Sequence, residues 1–114
     1  MTATAEARWL DVGAIEDVPR LGARRFTLAQ APIGIFRTSD DQVFALIDRC
    51  PHKQGPLSMG IVHGTSVTCP LHGMVIDLAR GEALGADAGK GCAARVEVRI
   101  EQGRILLDLA TLPA

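Results

Sequence analysis

The sequence predicts an all-β domain built of small antiparallel sheets, a sandwich or a barrel. Three observations carry that expectation: short β-branched or aromatic runs recur along the chain, turn residues punctuate them, and helical periodicity is hard to find. Gly13 and Pro19 interrupt the only window that would suit a helix. A length of 114 residues, 47% apolar and 22% charged, fits one packed core and excludes wholesale disorder.

Residues 1–8 are expected to form a flexible N-terminal tail, followed by one domain over 9–114. Trp9-Leu10-Asp11-Val12 opens the first strand. Arg25-Phe26-Thr27-Leu28, Ile33-Gly34-Ile35-Phe36-Arg37 and Val43-Phe44-Ala45-Leu46-Ile47 are the next three, set apart by Pro32 and the Ser39-Asp40-Asp41 cluster. Val96, Val98 and Ile100 alternate with Arg95, Glu97 and Arg99, a period of two that puts one face on a core and the other in water. Gln102-Gly103 then turns the chain into Arg104-Ile105-Leu106-Leu107-Asp108. Trp9 and Phe44 are expected core aromatics.

Twelve Lys and Arg against thirteen Asp and Glu give a net charge of −1 with no basic block, which argues against a nucleic-acid partner. No apolar run approaches the ~18 residues that a membrane span requires. The first residues, Met1-Thr2-Ala3-Thr4-Ala5-Glu6, have neither a basic nor an apolar leader segment, so a cytoplasmic protein is expected. Three cysteines, Cys50, Cys69 and Cys92, form an odd set that suits a reducing compartment, and metal or redox chemistry, better than a disulfide scaffold.

The chemistry concentrates between residues 48 and 73. Cys50-Pro51-His52 is separated by sixteen residues from Cys69-Pro70-Leu71-His72, a C-x-H…C-x-x-H arrangement with one thiol and one imidazole in each pair. Zinc accepts two cysteines and two histidines, yet its usual pattern keeps the two ligand types on separate loops. A [2Fe-2S] centre with two cysteines on one iron and two histidines on the other takes one of each from each loop, which matches the mixed pairs. A zinc-bound structural domain is the weaker alternative.

Asp48-Arg49-Cys50-Pro51-His52-Lys53-Gln54-Gly55-Pro56-Leu57 and Thr68-Cys69-Pro70-Leu71-His72-Gly73 resemble the two cluster-binding loops of Rieske proteins. The resemblance implies a Rieske-like fold of small antiparallel sheets with a two-loop subdomain within 48–78. It further implies a [2Fe-2S] cluster held by Cys50, His52, Cys69 and His72. All four positions are then filled by protein, so the domain carries one electron at a time and has no catalytic residue of its own. High-potential members of the family add a cysteine to each loop and hydroxyls near the sulfurs. Gly55 and Leu71 stand where the bridge would lie, Met74 is near the serine position and the chain has no tyrosine. A potential toward the low part of the roughly −150 to +300 mV Rieske span is expected.

Pro51, Pro56 and Pro70 with Gly55, Gly60 and Gly73 are expected to fix tight loop backbones. Lys53 and Gln54 are read as solvated loop side chains, with contact to a redox partner as the alternative. His63 is expected to be exposed in a turn between the loops, and Cys92 to be a partly buried thiol.

No nicotinamide or flavin fingerprint is present, so a partner must carry the chemistry. Two groups of small Rieske proteins are similar over nearly the whole chain: ferredoxins serving aromatic-ring oxygenases, and the small subunit of assimilatory NAD(P)H nitrite reductase. Gly55-Pro56-Leu57-Ser58-Met59-Gly60-Ile61-Val62-His63-Gly64, Val75-Ile76-Asp77-Leu78, Gly81-Glu82-Ala83 and Gly91-Cys92 look more like the nitrite reductase subunit. The ferredoxins usually show Ala-Pro-Pro where this chain has Gly85-Ala86-Asp87-Ala88-Gly89-Lys90. The resemblance then implies an electron-transfer subunit in nitrate assimilation, partnered by a large subunit bearing FAD, a [4Fe-4S] cluster and sirohaem that reduces nitrite to ammonium. The alternatives are an oxygenase ferredoxin with another redox partner and a non-redox assembly module of the reductase.

Overall fold

The computed structural model describes residues 9–28, 31–50, 56–70, 73–85, 88–89 and 91–111. Among them the chain forms strands β1 (Trp9–Ala14), β2 (Gly22–Thr27), β3 (Pro32–Arg37), β4 (Val43–Ile47), β5 (Ile61–His63), β6 (Ser66–Thr68), β7 (Val75–Asp77), β8 (Ala83–Leu84), β9 (Arg95–Val96), β10 (Val98–Glu101) and β11 (Arg104–Asp108). They pair antiparallel in three small sheets, ordered β1-β11-β10, β2-β3-β4-β9 and β5-β6-β7-β8. The all-β expectation holds: the described residues contain three single turns of 3-10 helix and no α-helix, and no helix is long and apolar enough to cross a membrane.

The period-two side-chain alternation of strands fixes the layering. In β3, Ile33 and Ile35 point into one buried cluster and Phe36 into the other; in β4, Ala45 and Ile47 join the first and Leu46 the second. The four-stranded β2-β3-β4-β9 sheet is therefore the middle layer, covered on one face by Val12, Ile105 and Leu107 of the β1-β11-β10 sheet. On its other face lies the β5–β8 sheet, whose cross-strand row Val62, Val67, Ile76 and Ala83 is buried. The two cores are thus separate, and only the second holds cysteines.

Turn chemistry sets the hairpins. Gln102 and Gly103 both have positive φ, 51° and 76°, the signature of the two-residue type I′ turn that matches strand twist. At the β3–β4 hairpin the buried Thr38 accepts the Gln42 amide on Oγ1 at 3.0 Å and donates its own amide to the Gln42 carbonyl at 2.9 Å. Arg37 ties this hairpin to the chain before β2 through the Ile15 and Val18 carbonyls at 3.1 and 2.9 Å. Its guanidinium also pairs with Asp41 at 2.8 Å.

Three expectations need correction. The 95–100 stretch is not one alternating strand: it breaks at Glu97, so Val96 pairs with Ala45 in the middle sheet while Val98 pairs with Leu107 in another. Ile100 consequently faces solvent at 39% exposure rather than a core. The fully buried aromatic is Phe36; Trp9 is half-buried under the Arg99 guanidinium, 4.6 Å from its ring centroid, and Phe44 packs half-buried against the cysteine-bearing core. Cys92 is exposed, because it sits in an isolated bridge to Glu82 at the edge of the β5–β8 sheet.

Candidate metal centre

Two loops rise from the layer formed by the middle sheet and the β5–β8 sheet. The first leaves β4 at Asp48, passes Cys50, and returns through the 3-10 turn Leu57–Met59 to β5. The second leaves β6 after Thr68, passes Cys69, and returns to β7. The second loop is closed by its own backbone: Cys69 N–H donates to the Met74 carbonyl at 2.7 Å, and Gly73 N–H to the Cys69 carbonyl at 3.1 Å. Gly73 has φ +72°, a left-handed conformation that a side chain disfavours.

Cys50 and Cys69 are each 1% exposed and lie in the same hydrophobic cluster, with Leu57 and Met74 among its members. Neither is joined in a disulfide. His52 and His72 lie outside the described residues, as do Lys53, Gln54, Gly55 and Leu71. The described residues hold no group of three or more His, Cys, Asp or Glu side chains able to bind a metal. The donor chemistry fits an iron–sulfur cluster: two soft thiols, withdrawn from water and delivered by two separate loops, are donors of the type such a cluster takes. His63 is exposed but ends β5 rather than occupying a turn, and its Nε2 is 2.6 Å from Thr68 Oγ1.

Asp48 opens the first loop and Ser58 lies ten residues on with no motif linking them, yet the two are joined across its base. Asp48, fully buried, accepts the Ser58 amide on Oδ1 at 2.7 Å and the Ser58 hydroxyl on Oδ2 at 2.6 Å. The half-exposed Arg25 on β2 stands 3.3 Å from Oδ2. The signal available in the sequence was an acid at the end of an apolar strand, two residues before a candidate ligand.

The Rieske [2Fe-2S] domain family model matches residues 8–99. The anthranilate 1,2-dioxygenase ferredoxin subunit of Burkholderia cepacia is 37% identical over 81 residues, covering 71% of this chain and 74% of that protein. The ferredoxin of a carbazole 1,9a-dioxygenase complex superposes with a TM-score of 0.79 at 27% identity, covering 90% of this chain and 94% of the other. A Mycobacterium tuberculosis structure described as an NADH-dependent nitrite reductase small subunit shares the fold, with a TM-score of 0.80 at 21% identity over 90% and 95% of the chains. With the family model spanning most of the chain and two buried thiols at its paired loops, the protein is a member of the Rieske [2Fe-2S] domain family, an electron carrier whose cofactor is a [2Fe-2S] cluster.

Proposed function

We propose that Cys50, His52, Cys69 and His72 hold the cluster and that the chain delivers electrons, one at a time, to an oxygenase component of the aromatic-ring type. The observation that carries the ligand assignment is the burial of Cys50 and Cys69 in one hydrophobic cluster, each at the base of its own loop. Bound there, the cluster supplies a site that accepts and releases a single electron. The chain's own residues do the rest. Leu57 and Met74 exclude water from the thiols, the Cys69 and Gly73 amide bonds fix the second loop, and the mixed ligand set leaves one iron less negatively charged than four thiolates would.

The identity to an oxygenase ferredoxin subunit over 74% of that protein supports the oxygenase partner. The nitrite reductase small subunit is the second reading, favoured by the 85–90 segment, which lacks the Ala-Pro-Pro of the ferredoxins. Reoxidation of the dithionite-reduced protein by the redox proteins encoded beside it separates the two. Rapid electron uptake by an oxygenase component supports the first reading. Uptake by a flavin- and sirohaem-bearing large subunit overturns it in favour of the second. Within that second reading, nitrite turnover unchanged by Cys69→Ser would identify an assembly module.

A further inference from the structure

The buried Asp48 carboxylate is the one fully buried acidic side chain in the chain's described cores, and its bonds join the two ends of the loop that carries Cys50. A buried ionised carboxylate is costly unless it is paired and hydrogen-bonded. Here it takes two bonds from Ser58 and an ion pair from Arg25, and the donors come from two different segments. The surroundings are shaped for it. A side chain on Gly34 would bring its Cβ to 3.3 Å from Asp48 Oδ1 and 2.9 Å from the Phe36 ring, so the bare glycine leaves the space the carboxylate occupies. Asp48 is itself held from the other side, its amide donating to the Pro32 carbonyl at 3.0 Å.

What the clamp positions follows from its neighbours. Ser58 lies in the same turn as Leu57, which is fully buried in the cluster that contains Cys50 and Cys69. Two residues on, Gly60 packs against the Thr68 carbonyl, immediately before Cys69. The bonds of Ser58 thus tie the return limb of the first loop to its outgoing limb at Asp48, and the Gly60 contact seats that limb against the residue before Cys69. From this geometry we infer that Asp48 and Ser58 are positioning residues for the cluster, locking the mouth of the Cys50 loop while Arg25 neutralises the buried carboxylate. The inference rests on the assignment of Cys50 and Cys69 as ligands. Partners that orient metal ligands from behind commonly change affinity by about 10- to 100-fold when removed.

The test uses the holoprotein and the variants Ser58→Ala, Ser58→Thr and Asp48→Ala, with Asp41→Asn as a control that perturbs a distant hairpin. Iron release to excess chelator and the electron paramagnetic resonance signal of the reduced cluster are measured for each. The expected result is release about tenfold faster in Ser58→Ala, with a shifted g-tensor, both restored in Ser58→Thr because the hydroxyl is kept. Asp41→Asn leaves both unchanged. Should Asp48→Ala fail to fold, the serine pair carries the test, since Ser58→Ala deletes only the hydroxyl and Ser58→Thr keeps it while adding a methyl group. Wild-type release and an unshifted g-tensor in Ser58→Ala overturn the inference while leaving the cluster assignment standing. A wild-type protein without iron and sulfide overturns both.

Discussion

Gly60 lies so close to the Thr68 carbonyl that a Cβ on it would overlap the oxygen. Its backbone, at φ −85° and ψ −170°, is extended and open to any residue, so the requirement for glycine is steric. Gly60→Ala is expected to cost about 1–3 kcal/mol, the range for overpacking a tight contact. Gly64→Ala makes the comparison: nothing lies within 4 Å of its Cβ position, but φ is +57°, so only the left-handed strain of about 1–2 kcal/mol applies. Denaturant titration of both variants checks the values, and loss of cluster in Gly60→Ala alone would show that its contact also spaces the two loops.

Two separate cores predict two kinds of destabilised variant. Leu57→Ala and Ile105→Ala each empty a fully buried site, at about 2–5 kcal/mol. Leu57 belongs to the core with both cysteines and Ile105 to the other. Unfolding midpoints are expected to fall in both, while cluster release at a temperature where both remain folded is expected to quicken only in Leu57→Ala.

Much of this architecture was legible in the sequence. The run Val43 to Ile47 is β4 to the residue, and the two-residue Gln102-Gly103 turn falls where the alternation stops. The hidden part was the β5–β8 sheet. Its strands run two or three residues, too short for a period to register, and its hairpin depends on Gly64 taking a positive φ rather than on a polar cluster. The break at Glu97 was equally invisible, since Val96, Val98 and Ile100 keep perfect alternation while serving two sheets. For the site, residue types and spacing pointed to the cysteines. Asp48 and Ser58 escaped because a carboxylate and a hydroxyl ten residues apart carry no motif; only the fold makes them neighbours.

Acid stability tests a hairpin far from the metal centre. The Arg20 guanidinium, hydrogen-bonded to Asp41, and then Arg37 hold its carboxyl well below the usual 3.8, at about 2. A carboxyl depressed in the folded state stabilises fully above its unfolded value and loses that contribution as pH falls through its folded one. Thermal unfolding between pH 5 and 2, on a scale of about three units, is therefore expected to show a shallower decline in Asp41→Asn than in wild type. Asp11 and Asp40, also lowered, keep part of the slope.

The reduction potential tests the surroundings of the sulfurs. Met74, 2% exposed, brings an apolar side chain to the core beside Cys69, and the chain contains no tyrosine. A chain without tyrosine has no phenol to donate to a cluster sulfur and stabilise the added electron, so the potential is expected toward the low part of the roughly −150 to +300 mV span. Protein-film voltammetry reads it, and a value well above zero would mean that donors other than a phenol stabilise the added electron.

The most direct measurement is iron and acid-labile sulfide content, taken with the electron paramagnetic resonance spectrum of the anaerobically purified, dithionite-reduced protein. Ligation by Cys50, His52, Cys69 and His72 predicts equal iron and sulfide and a rhombic signal whose average g lies below that of all-cysteine [2Fe-2S] clusters. Zinc in place of iron, or a signal of the all-cysteine type, would contradict it.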